Sequence, residues 1–122
     1  MRNETLTKAE MTIMNLIWDQ HKGLSVAEVL ELYEEPKPAY TTVATFMKIL
    51  EKKGYLKAEK TGSGRSYTFF PLISKETYSR RTIREVKKTL FAGSAKSLLN
   101  FFVREENISE EDLKELIDMI KR

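Results

Sequence analysis

The apolar rhythm of this chain changes once in its first half, at Gly54, and that change limits the folds open to it. Before Gly54, three stretches repeat apolar residues at helical spacing. After it, Tyr55-Leu56-Lys57-Ala58-Glu59-Lys60 and the run from Arg65 to Phe70 read as strands, with alternating types in Ser66-Tyr67-Thr68-Phe69. Thr61-Gly62-Ser63-Gly64 lies between them, and its glycines suit the positive φ angles of a hairpin turn. Pro71 closes the unit.

The first helical stretch opens at Leu6-Thr7-Lys8-Ala9-Glu10, where Thr7 and Glu10 have the spacing of a capping box. Met11, Met14, Ile17 and Trp18 form its expected buried stripe, and Gly23 is expected to break it. Ser25-Val26-Ala27-Glu28 is a second capping box, opening a short helix with Val26, Val29 and Leu30 on its apolar side. Pro36 and Pro38 end that region. A third helix is predicted from about Tyr40 to Lys53, with Gly54 as its C-terminal cap. Three short helices followed by a hairpin form the winged-helix arrangement, and the hairpin is the wing. The expected class is mainly α with a small β-hairpin, a winged helix-turn-helix domain over residues 1–72.

Residues 73–122 read as helical again. Ser74-Lys75-Glu76-Thr77 starts a helix to about Leu90, and Gly93-Ser94 separates it from a second, Ala95 to about Val103. Ser109 with Asp112 begins a third, in which Leu113, Leu116, Ile117 and Ile120 form an apolar side. Segments below ~70–80 residues rarely stabilise themselves with one core. Leu90, Phe91, Leu98, Leu99, Phe101, Phe102 and Val103 are a large apolar supply for so short a piece. Burial against a second copy is the economical solution, so residues 73–122 are expected to be a helical dimerisation domain. Folding back on the winged helix of the same chain is the alternative.

Several classes are excluded. The 122 residues contain no cysteine, so there is no disulfide framework, thiolate metal site or cysteine nucleophile. The first twenty residues hold Glu4, Glu10 and Asp19 without a long apolar run, unlike a signal peptide. No window approaches the roughly 18 apolar residues of a spanning helix, so a cytoplasmic protein without membrane insertion is expected. His21 is the single histidine, in a helix-terminal turn, and the Glu34-Glu35 and Glu110-Glu111 pairs sit at helix ends, where they suit solvent or the helix dipole. Gly62-Ser63-Gly64 joins strand to strand and is no phosphate-cradling loop. No enzyme, cofactor or metal is expected.

Charge is unevenly spread. The net charge is +3, yet residues 1–36 carry three bases against seven acids, whereas residues 37–70 carry seven bases against two acids. The positive stretch falls on the third helix and the hairpin. In that helix Val43, Phe46, Met47 and Leu50 form the core stripe, while Thr41, Thr45, Lys48 and Lys52 lie nearly opposite. Thr42 sits at the helix start, where backbone N–H groups favour a phosphate. Short hydroxyl side chains with lysines beyond them suit a DNA major groove, since small residues let the helix approach base edges and lysines reach phosphates or guanine acceptors. Thr41 or Thr42 could instead be a helix cap, and Lys53 reads as a plain surface lysine. Lys60 and Arg65 flank the glycine-rich tip, where a wing would grip neighbouring backbone. The expected DNA-binding set is Thr41, Thr42, Thr45, Lys48, Lys52, Lys60 and Arg65.

The segments Leu6-Thr7-Lys8-Ala9-Glu10 through Ile17-Trp18, Thr41-Thr42-Val43-Ala44-Thr45, Leu50, Lys52-Lys53-Gly54-Tyr55-Leu56, Gly64-Arg65-Ser66-Tyr67, Leu99-Asn100-Phe101 and Ile108-Ser109-Glu110-Glu111-Asp112-Leu113 follow in order along the chain. In this order and spacing the chain resembles the penicillinase-repressor family of bacterial transcriptional regulators, which includes the β-lactamase, methicillin-resistance and copper-responsive repressors. The resemblance implies a homodimer that offers each winged helix to half of a dyad-symmetric operator and blocks transcription. It carries DNA contacts onto Thr42, Thr45 and Arg65. Family members often have an arginine where this chain has Ile49, so the DNA contact there is expected to be weaker or supplied by Lys48, and operator sequence is not transferable. In the β-lactam branch a membrane sensor with a metallopeptidase domain leads to cleavage of an Asn–Phe bond, which Asn100–Phe101 matches. The copper branch releases through a C-terminal cysteine cluster, which this chain lacks. A winged helix used for protein–protein contact, and a repressor relieved by a small ligand, are the competing functions.

Overall fold

Local capping decides where the helices begin. Thr7 caps α1 (Lys8–Gln20) and Ser25 caps α2 (Val26–Leu32), each as a reciprocal capping box with the glutamate three residues on. The computed structural model describes residues 5–62 and 66–121, and the chain divides into two compact units, Met1–Lys75 and Glu76–Arg122. In the first, α1 and α2 are followed by α3 (Tyr40–Lys52) and an antiparallel hairpin of β1 (Leu56–Lys60) and β2 (Tyr67–Pro71). The hairpin register pairs Leu56 with Pro71, Ala58 with Phe69 and Lys60 with Tyr67. Pro71 therefore ends β2 inside the ladder rather than beyond it. The expected class, mainly helical with a two-stranded wing, is the class observed.

The core of this unit is built from Ile13, Met14, Ile17, Val29, Val43, Met47, Leu50, Tyr55 and Leu56, all essentially inaccessible to solvent. Each such side chain contributes roughly 1.5–3 kcal/mol relative to exposure. Two details of the expected stripes change: Ile13 is buried while Met11 is only half-buried, and Phe46 is half-buried beside Met47. The Trp18 indole N–H donates to the Ile73 carbonyl at 2.9 Å, holding the segment after the wing to α1.

Gly23 does not stop α1. The helix ends two residues earlier at His21, whose φ is 55° and whose N–H returns to the Trp18 carbonyl. The task of Gly23 is close approach: a Cβ there would lie 2.5 Å from Phe70 Cε1 and 2.7 Å from Thr68 Cγ2. That space lets Leu24 pair with Phe69, with Leu24 N–H donating at 3.0 Å and Phe69 N–H donating at 2.8 Å. The hairpin is thereby stitched to the loop between α1 and α2.

The second unit holds most of α4 (Lys75–Leu90), and α5 (Ala95–Glu106) and α6 (Glu110–Lys121). Gly93, at φ 80°, turns the chain out of α4, and the Ser94 hydroxyl caps α5 by accepting from Ser97 N–H at 3.1 Å. The second helix runs three residues past Val103, because Arg104, Glu105 and Glu106 are good helix formers and only Asn107, at φ 50°, leaves the helical region. Ser109 caps α6 by accepting from Asp112 N–H at 3.2 Å. Within the unit Phe91 and Phe101 meet edge to face at 5.7 Å, and Phe101 meets Phe102 at 6.2 Å.

Candidate nucleic-acid interface

Helix α3 has two unlike sides for a geometrical reason. Val43, Met47 and Leu50 recur at i, i+4 and i+7 and are buried, so the stripe that includes Thr41, Thr45, Lys48 and Lys52 must point away from the core. All four are exposed, as is Thr42, one residue further round. Neither Thr41 nor Thr42 is a cap: the N-cap is Ala39, which makes no side-chain capping bond. The Thr45 hydroxyl donates to the Thr41 carbonyl at 2.8 Å. With its proton committed inside the helix, Thr45 offers an approaching molecule an acceptor oxygen and a methyl group. Ile49 is half-buried, and its carbonyl accepts from Lys53 N–H at 2.9 Å.

The far end of α3 is fixed twice. Gly54, at φ 87°, lets Gly54 N–H reach the Glu51 carbonyl at 3.1 Å and Tyr55 N–H reach the Leu50 carbonyl at 2.9 Å. This is a Schellman cap, with Leu50 and Tyr55 both buried beneath it. Lys53 supplies the second lock and corrects its reading as a plain surface lysine. Its ammonium lies 2.7 Å from Glu10 Oε1, with the Lys53 side chain 17% exposed. Glu10 is 2% exposed and also accepts from Thr7 N–H at 2.9 Å. Burial alone would push the Glu10 carboxyl up, but the Lys53 ammonium and Thr7 N–H outweigh it and hold its pKa below the usual value. Periodicity gave no sign of this pair, because its partners are 43 residues apart.

Lys37 is also engaged within the first unit. Its ammonium donates to the carbonyls of Leu30 at 3.2 Å and Glu31 at 2.7 Å, satisfying the end of α2. On the wing, Lys60 is exposed and stands opposite Tyr67, itself exposed. Arg65 lies outside the described residues, as does the side chain of Ile120. A second concentration of positive charge, missed when charge was counted only to residue 70, is α4, with six bases against two acids. Arg80 is paired there with Glu76.

The residues expected to dimerise are spread through the second unit. Leu98 is already buried in the single chain, Phe91, Leu99, Phe102, Leu113, Leu116 and Ile117 are half-buried, and Leu90 and Phe101 are exposed. Asn100 is exposed within α5. Among the described residues no group of three or more His, Asp or Glu side chains is placed to hold a metal ion, and no helix is long and apolar enough to cross a membrane.

Comparison with known proteins covers nearly the whole chain. A family model described as penicillinase repressor matches residues 6–122. The methicillin resistance regulatory protein MecI of Staphylococcus aureus (strain N315) is 23% identical over 126 residues, covering 100% of this chain and 99% of the relative. The MecI of Staphylococcus epidermidis matches to the same extent. The penicillinase repressor of Staphylococcus aureus is 28% identical over 116 residues, covering 94% of this chain and 90% of that protein.

Proposed function

The chain belongs to the penicillinase repressor family, and from that premise we propose how it represses. It is a DNA-binding transcriptional repressor of the kind its relatives represent. Two copies read a dyad-symmetric operator, each laying α3 in a major groove and its wing on the adjacent backbone. Thr41, Thr42 and Thr45 meet base edges or the first phosphates, Lys48 and Lys52 neutralise phosphates, and Lys60 and Arg65 hold the flank. The observation that carries this reading is the division of α3, with exposed threonines and lysines opposite a fully buried stripe. Its locked C-terminus supports the same reading, since a reading helix must hold its angle.

Pairing of two copies is supported by the second unit. Leu90 is 73% exposed, Met119 is 68% exposed, and Ile83, Phe101 and Val103 are also uncovered. Large apolar side chains so placed gain most from burial against a second copy. Release follows cleavage of the Asn100–Phe101 bond in a pathway begun by a membrane sensor, and the protein acts in the cytoplasm on genes of antibiotic resistance. The bond lies in the middle of α5, so that helix must open locally before a protease can reach it.

The test is binding to a duplex taken from upstream of the protein's own coding sequence, against a scrambled duplex of equal length, at two salt concentrations. Binding that weakens with salt and favours the upstream duplex by ~10³-fold or more is the expected result. Equal, weak binding to both at every salt concentration refutes specific recognition of that region.

A further inference from the structure

We infer that Tyr40 and Tyr67 are two further contacts to the DNA backbone, each donating its phenolic O–H to a phosphate oxygen; the inference rests on the repressor reading above. Five large apolar or aromatic side chains stand well exposed in the first unit: Leu32, Tyr40, Tyr67, Phe70 and Leu72. Only the two tyrosines among them carry a hydrogen-bond donor. Tyr40 is 54% exposed and Tyr67 is 49% exposed, whereas Tyr55 is fully buried and Tyr33 half-buried. Among the described residues neither exposed phenol has a hydrogen-bond partner.

Their positions are what single them out. Tyr40 is the first residue of α3, directly before Thr41, and begins the ridge Tyr40, Ala44, Lys48, Lys52 at successive i+4 steps. Ala44 is small, so that ridge is open between the phenol and the first lysine. Tyr67 is the cross-strand partner of Lys60 at the tip end of the ladder, and directly opposed residues share one face of the hairpin. Each of the two basic elements thus carries one exposed, unpartnered phenol beside its lysines. A phenol reaches further than a threonine and donates without charge, which suits a phosphate oxygen rather than a base edge.

The lack of charge gives these contacts their own signature. A lysine that neutralises a phosphate releases a counterion, so its loss makes binding less dependent on salt. A phenol releases none. Its loss lowers affinity by the same factor at every salt concentration.

The experiment compares wild type, Y40F, Y67F, the Y40F/Y67F double variant and K48A/K60A, using the upstream duplex and the scrambled duplex across a salt series. Phenylalanine keeps the ring and removes only the hydroxyl, so folding is not disturbed. The double variant is expected to bind ~10-fold or more weakly to the duplex, on a line parallel to wild type in log affinity against log salt. K48A/K60A is expected to give a shallower line. Wild-type affinity in Y40F/Y67F overturns the proposal, and so does a shallower slope in that variant. A wild-type protein that binds neither duplex in a salt-dependent way overturns the repressor reading itself and this assignment with it.

Discussion

Lys53 Nζ and Glu10 Oε1 lie 2.7 Å apart, joining the C-terminal cap of α3 to the first turn of α1. Glu10 is the one charged residue withdrawn into the core among those described, and it serves two elements at once. Its carboxylate closes the α1 capping box through Thr7 N–H and anchors the helix proposed to read DNA.

Breaking this pair from either side should destabilise the first unit. Glu10→Gln or Lys53→Met should cost about 3 kcal/mol, the low end for buried pairs because Lys53 keeps some solvent. Urea unfolding measures the loss. The slope of DNA affinity against salt should be unchanged in Lys53→Met, since this lysine is spent on Glu10; a shallower slope would return Lys53 to the contact set.

The same carboxyl should give stability an acid dependence. Its pKa is depressed in the folded state, so the folded chain holds this proton less readily than the unfolded chain. The stabilisation is present above the ordinary carboxylate pKa and is lost as pH falls through the depressed value. Urea midpoints measured from neutral pH downward should fall more steeply for wild type than for Glu10→Gln through that acidic range.

Gly23→Ala should destabilise by about 1–3 kcal/mol through overpacking against Phe70 and Thr68. The Phe70 ring is partly exposed and can swing aside, whereas the branched Thr68 side chain is stiffer. The cost should therefore shrink, but not vanish, when Gly23→Ala is made in a Phe70→Ala background. An equal cost in both backgrounds would show that the ring is not the obstacle.

Removal of lysines from the exposed side of α3 and the wing should act through salt. Lys48→Ala and Lys60→Ala should each reduce the slope of log affinity against log salt by about 0.9 and weaken specific and scrambled duplexes alike. A variant that loses only the preference for the upstream duplex would instead mark a base contact.

Truncation after Asn100 removes Phe101, Phe102 and all of α6. Sedimentation should show a species that dissociates at concentrations where the full chain stays paired, and operator binding should need more protein. A truncated chain that remains a dimer would place the pairing surface on α4 and the start of α5 instead.

What the sequence determined by itself is the part of this protein governed by short spacings. The capping boxes at Thr7 and Ser25, the Gly54 cap, the hairpin and the two sides of α3 depend on residues within a few positions of one another, and they are where the pattern puts them. The exposed row of Thr41, Thr45, Lys48 and Lys52 was legible for the same reason: a helix repeats every 3.6 residues, so a buried stripe dictates an exposed one. Gly23 and Lys53 were misjudged because each answers to a residue that no local pattern connects with it. Gly23 yields to Phe70 and Thr68, and Lys53 reaches Glu10 across 43 positions. Only the packing of α1, α3 and the hairpin around one core brings those partners together. Tertiary structure therefore decided that Lys53 is spent on Glu10, while Lys48 stays exposed on the helix proposed to read DNA.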